Sequence, residues 1–133
     1  MRTERDLLGN IQIEDSALWG VHTQRALGNF PQTGRRLARE LIAAYAIVKR
    51  GAAEVNGELG DIGSDIADAI VQSAMEVEDG RLDEQFPIDP LSGGAGTSIN
   101  MNVNEVIANR ANEILGSKRG DYSPVHPLDN VNI

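Results

Sequence analysis

The chain has 133 residues, 41% of them hydrophobic but only 4% aromatic, and no cysteine. That length suits one domain able to bury an aliphatic core without staples, and the lack of cysteine excludes disulfides and thiolate metal sites. A net charge of −8, from 12 basic and 20 acidic side chains, argues against nucleic acid or a membrane surface as partner.

The first ten residues, MRTERDLLGN, carry charge and no apolar h-region, so they are not a secretory signal. No apolar run reaches the length of a membrane span, and a cytoplasmic setting is expected for a chain without cysteine. Residues 1–34 read as an irregular arm. Turn residues fall at Gly20, Gly28, Pro31 and Gly34, with a short strand at Ile11–Ile13 and a helical turn near Thr23–Ala26.

Residues 35–59 read as a long helix, with an apolar stripe through Leu37, Leu41, Tyr45, Val48, Ala52, Val55 and Leu59 at steps of four and three. Gly57 and Gly60 suit its end. A second helix is predicted over 64–79, with Ser64 as N-cap, a stripe of Ile66, Ile70, Ser73 or Ala74, and Val77, and a stop at Gly80. Residues 81–97 read as a loop, acidic at its start, anchored by Phe86 and rich in glycine and proline; a loop of this length in a compact domain is usually functional or disordered. A third helix follows over 98–115, with one face formed by Ile99, Val103, Val106, Ile107, Ile114 and Leu115 and a stop at Gly116. Residues 117–133 return to loop, and the ending NVNI reads as a chain cut partway through a longer protein.

The chemistry concentrates where GGAGTS (93–98) meets the third helix. A flexible turn before a helix N-terminus aims unpaired N–H groups and the positive end of the dipole outward, which makes an anion site. Thr97 and Ser98 add hydroxyls; either could instead cap the helix while the glycines make the turn. No Lys follows the glycines, so this is not a Walker loop, and no strand precedes them, so it is not a dinucleotide fingerprint. Five asparagines follow: Asn100, Asn102, Asn104, Asn109 and Asn112. Asparagine is a poor interior helix residue, and carboxamides here would tie the helix to neighbouring backbone or orient a carboxylate. The two histidines, His22 and His126, support no metal site. His126, with Asp129 nearby, is a candidate anion donor. No nucleophile elbow is present.

GGAGTSINMNVNEVIANRA closely resembles the N-terminal signature of the aspartase/fumarase superfamily. ERDLLG (4–9), ALWGVHTQRAL (17–27) with NFP (29–31), DEQFP (83–87) and HPLDNVN (126–132) have counterparts there in the same order, across nearly the whole chain. The resemblance implies a mainly α fold, with residues 1–133 as the N-terminal domain of a three-domain homotetrameric lyase whose central helical-bundle and C-terminal domains lie outside this chain. It implies proton removal beside a carboxylate, an aci-carboxylate stabilised by donors, and loss of an amine or hydroxyl, without metal or organic cofactor. Carried over, Thr97 with Gly96 and Ser98 binds the substrate carboxylate. His126 and Asp129 match a second dicarboxylate site, though Leu128 and Asn130 depart from the His-Pro-Asn-Asp-His common there. The base and later substrate donors belong to segments not found in this chain, so no catalytic residue is assigned within it and the fragment alone is expected to be inactive. GGAGTS with GVHT (20–23) resembles aspartate ammonia-lyases, acting on aspartate to give fumarate; ALW and TQR lean toward class II fumarate hydratase. A stand-alone helical interaction module, without catalysis, is the reading from a different class.

Overall fold

The computed structural model describes residues 1–133. In chain order it contains strands β1 (Arg2–Asp6) and β2 (Gly9–Ile13), then helices α1 (Val21–Asn29), α2 (Arg39–Leu59), α3 (Ser64–Glu78) and α4 (Thr97–Ile114). The fold is mainly α, and the three long helices occupy the segments with three-and-four apolar spacing. Their stops obey local backbone rules: Gly60, Gly80 and Gly116 all take left-handed φ of +80° to +85°, which costs an L side chain but not glycine.

The core lies among α2, α3 and α4. Ile70, Ala74 and Val77 from α3 meet Val103, Val106 and Ile107 from α4, with Phe86, Ile88 and Val125 brought in from loops. The loop before α4 is therefore anchored at Phe86 and Ile88, beyond a short 3-10 turn at Asp83–Gln85. No helix is long and apolar enough to cross a membrane.

Five details correct the sequence expectations. The N-terminal arm is not irregular. β1 and β2 pair antiparallel from Arg2↔Ile13 to Asp6↔Gly9, and α1 extends the expected turn to nine residues. The pairing escaped the apolar pattern because β1 is RTERD, wholly polar. It is held by its charges instead. Arg2 pairs with Glu4 at 2.8 Å and donates to the Ala17 and Trp19 carbonyls, while Asp6 pairs with Arg25 of α1 at 2.6 Å.

α2 starts four residues later than expected, because Ala38 is extended and Leu37 buries itself ahead of the helix. Its buried face is also a different one. Ile42, Ala46, Lys49 and Ala53 point inward, whereas Leu41, Val48, Val55 and Leu59 of the expected stripe are 40–70% exposed. Close approach decides this: α2 leans on α3 through small residues, and a Cβ on Gly57 would lie 2.7 Å from that of Ala67. Finally, residues 127–131 form one π-helical turn rather than plain loop, capped by His126. N-capping of α3 passes to Gly63 rather than Ser64.

Candidate functional site

Glycines shape the turn before α4. Gly93 and Gly96 hold φ of +88° and +76°, and Gly96 is the N-cap of α4, with no side-chain cap and no acid in the first turn. Thr97 and Ser98 are thus the first two helical residues, and neither hydroxyl caps the helix. The first-turn N–H groups and the positive end of an 18-residue helix are left without a carboxylate from the chain itself, which suits an anion.

Thr97 and Ser98 open onto a groove of about 720 Å³. Its other wall is α1, through His22, Gln24 and Arg25, with Phe30 just past the helix end, and its rim is the hairpin, through Asp6 and Leu8. Thr97 is exposed in this groove and Ser98 is buried at its base. His22 is the residue that sequence reasoning did not bring here. Its Nδ1 is buried without a hydrogen-bond partner. The signal available was its place in GVHT, at the start of a helix whose full extent the sequence did not show.

Two carboxylates from distant segments fix the α1 wall. Glu105 of α4, buried, accepts from the N–H groups of Gly20, His22 and Thr23 at 2.9, 2.7 and 3.1 Å and from the Thr23 hydroxyl at 2.6 Å. Glu4 accepts from the Val21 N–H at 3.0 Å and the Tyr122 hydroxyl at 2.8 Å. Together they satisfy the orphan donors of α1 and complement its dipole. Burial pushes the Glu105 carboxyl above the usual carboxylate range, against the pull of its donors, and burial beside these acids pushes the Tyr122 phenol up as well. On the rim, the Arg25 guanidinium holds Asp6 below its ordinary value.

Most of the asparagines tie α4 to loops. Asn109 donates to the Leu18 carbonyl and accepts from the Gly120 N–H. Asn112 bonds both backbone groups of Val125. Asn102 donates to the Gln85 carbonyl. Asn100 instead reaches Asn132 Oδ1 at 3.1 Å. Asn104 makes one weak contact, 3.6 Å to Met101 Sδ, and its Oδ1 has no partner.

His126 and Asp129 come together in the π-helical turn, and neither lines the groove. His126 Nδ1 accepts from the N–H groups of Leu128 and Asp129 at 3.2 and 3.3 Å, so its hydrogen sits on Nε2. The Asp129 carboxylate lies 3.6 Å from Nδ1.

The family model described as lyase matches residues 9–133. The chain is 52% identical over 131 residues to a class II fumarate hydratase of Pseudomonas aeruginosa, covering 98% of the chain. It is 49% identical over 133 residues to an aspartate ammonia-lyase of a Bacillus species, covering all of it. The chain spans 28% of the length of each. Among solved structures it superposes on a fumarate lyase:delta crystallin from Brucella melitensis with a TM-score of 0.96 and 46% identity, covering 100% of this chain and 30% of that one.

Proposed function

The chain belongs to the lyase family that contains class II fumarases and aspartate ammonia-lyases, and from that membership we propose that its groove binds a dicarboxylate as one part of a composite lyase site. The observation that carries this is the uncapped start of α4 at Gly96, with Thr97 and Ser98 facing a groove walled by α1. A carboxylate placed there meets the first-turn N–H groups, the helix dipole and the Thr97 hydroxyl. When a proton leaves the adjacent carbon, negative charge builds on that carboxylate as an aci-carboxylate, and donors already aimed at it lower the barrier without reorganising. The base and the remaining substrate donors come from segments outside this chain, so the full-length protein acts and the 133 residues alone do not. We assign the full-length protein as a cytoplasmic homotetramer needing no metal or organic cofactor, with residues 1–133 as its N-terminal domain. His126 and Asp129 form a weaker second anion site, since only Nε2–H is left to donate and Asp129 opposes an anion.

The favoured reaction is elimination of ammonia from aspartate to give fumarate, supported by GGAGTS and GVHT. The second reading is class II fumarate hydratase, supported by relatives of that name at similar identity. Fumarate formation by the full-length protein, followed by ultraviolet absorbance, separates them: aspartate turnover with inert malate supports the first, and the reverse supports the second. In the same assay Thr97→Val and Thr97→Ala should lower kcat/KM by a factor corresponding to about 2–4 kcal/mol, as for loss of an oxyanion-hole donor. Thr97→Ser should retain most activity. A Thr97→Val enzyme within about twofold of the parent would make Thr97 a packing residue only. Turnover by the 133-residue chain would disprove the composite site.

A further inference from the structure

The start of α4 offers donors to one carboxylate. A dicarboxylate has a second end, and its donor must come from another residue lining the groove. Arg25 is already committed: its Nε and Nη2 hold the two Asp6 oxygens at 2.7 and 2.6 Å, so its charge is balanced within the chain. Gln24 is turned toward the Trp19 indole, whose N–H it accepts at 3.0 Å. His22 differs from both. Its Nδ1 is buried with no partner, so the ring meets the groove through Nε2. A hydrogen on Nδ1 would be a buried donor without an acceptor, which is costly. The hydrogen therefore belongs on Nε2, where it is offered to the groove. Residues 1–133 bury Nδ1 by themselves, so its isolation does not depend on any further segment. The ring is also held before a ligand arrives. The His22 N–H donates to Glu105 Oε1 at 2.7 Å, while Gly20 and Thr23 fill Oε2. Glu105 lies about two turns beyond Thr97 on α4. One rigid helix thus sets both walls, Thr97 directly and His22 through Glu105.

We propose that His22 Nε2–H binds the second carboxylate of a dicarboxylate whose first carboxylate sits at the start of α4, with Glu105 as the positioning residue that fixes the ring. This rests on the carboxylate site proposed at Gly96 and adds the contact at the ligand's far end. The bond is charge-assisted, from a neutral donor to a carboxylate, and its donor is aimed in advance, because the backbone that carries it is tied to α4.

Succinate is the probe, titrated into the full-length protein by calorimetry. His22→Leu should raise Kd about tenfold or more, the worth of one hydrogen bond to a charged group. His22→Gln keeps an N–H donor and should stay within about threefold of the parent. Glu105→Gln should weaken succinate binding in the parent but add little once His22 is replaced by Leu, because it acts through His22. Fully additive losses would overturn the positioning role of Glu105. Thr97→Val tests the start of α4 separately. If Thr97→Val weakens succinate while His22→Leu stays within about twofold of the parent, the His22 contact is overturned and the site at Gly96 stands. If neither variant changes Kd, or the parent does not bind succinate, both are overturned. A loss in His22→Gln as large as that in His22→Leu also overturns the contact. The outcomes for His22 hold whether or not Glu105→Gln folds.

Discussion

Asn112 closes a ring with Val125, donating to its carbonyl at 2.8 Å and accepting from its N–H at 2.9 Å. Asn112→Ala would leave both buried backbone groups unpaired and should cost about 2–4 kcal/mol by urea denaturation, at one to two per orphaned group. Asn104 is just as buried but is almost unsatisfied. Asn104→Leu, of similar size, should therefore fall within about 1 kcal/mol of the parent, because it relieves a desolvated amide as it removes one. The two residues look alike in the sequence; their partners, not their spacing, separate them. Gly20 is a third case. A Cβ there would meet the Tyr122 hydroxyl at 1.8 Å, so Gly20→Ala should cost about 2–3 kcal/mol by overpacking. Its φ of −119° is ordinary, so crowding and not backbone strain is the cause.

Among the elements, α2 offers the sharpest contrast. Val48, 66% exposed, and Ala46, fully buried, are two residues apart. Val48→Lys should change stability by no more than about 0.5 kcal/mol, whereas Ala46→Leu should cost about 1–3 kcal/mol by overpacking; thermal melts of both would show whether the exposed face is truly free. The hairpin carries a pH dependence. Asp6 is held below its ordinary value by Arg25, so between those two values the unfolded chain binds the proton more readily than the folded one. Stability then rises with pH across that window. This contribution is present above pH 3.8 and is lost as pH falls through the folded value. Asp89, lowered by the Leu91 N–H and Thr33, acts in the same direction on the loop before α4. Glu105 acts oppositely: its folded value is raised, so its contribution declines as pH rises through that value. Amide exchange in the hairpin should accelerate as pH is lowered toward 3 beyond the intrinsic trend, and Asp6→Asn should remove that dependence.

For the whole molecule, the proposed tetramer rests on a helical bundle that these residues do not include, so the isolated chain should be a monomer or weak dimer. A stable tetramer at low micromolar concentration by light scattering would contradict this. The uncharged outer stripe of α2, from Leu41 to Leu59, is the surface most able to support weak self-association. The sequence by itself determined the three long helices, their glycine stops and the glycine turn that opens α4, because apolar period and left-handed glycines act within a few residues; that neither Thr97 nor Ser98 caps α4 was decided by the structure. The family was legible too, from ordered motifs rather than from any one of them. Tertiary structure alone decided the pairing of the hairpin, the length of α1, the inward face of α2 and the place of His22 in the groove. The hairpin was hidden because β1 is wholly polar, and the face of α2 was set where Gly57 meets Ala67; for α1 and His22 the deciding partner is far along the chain, Glu105 reaching the His22 N–H across 83 residues. Local spacing carries no record of contacts made at that separation, so only the packed chain could select which polar groups meet.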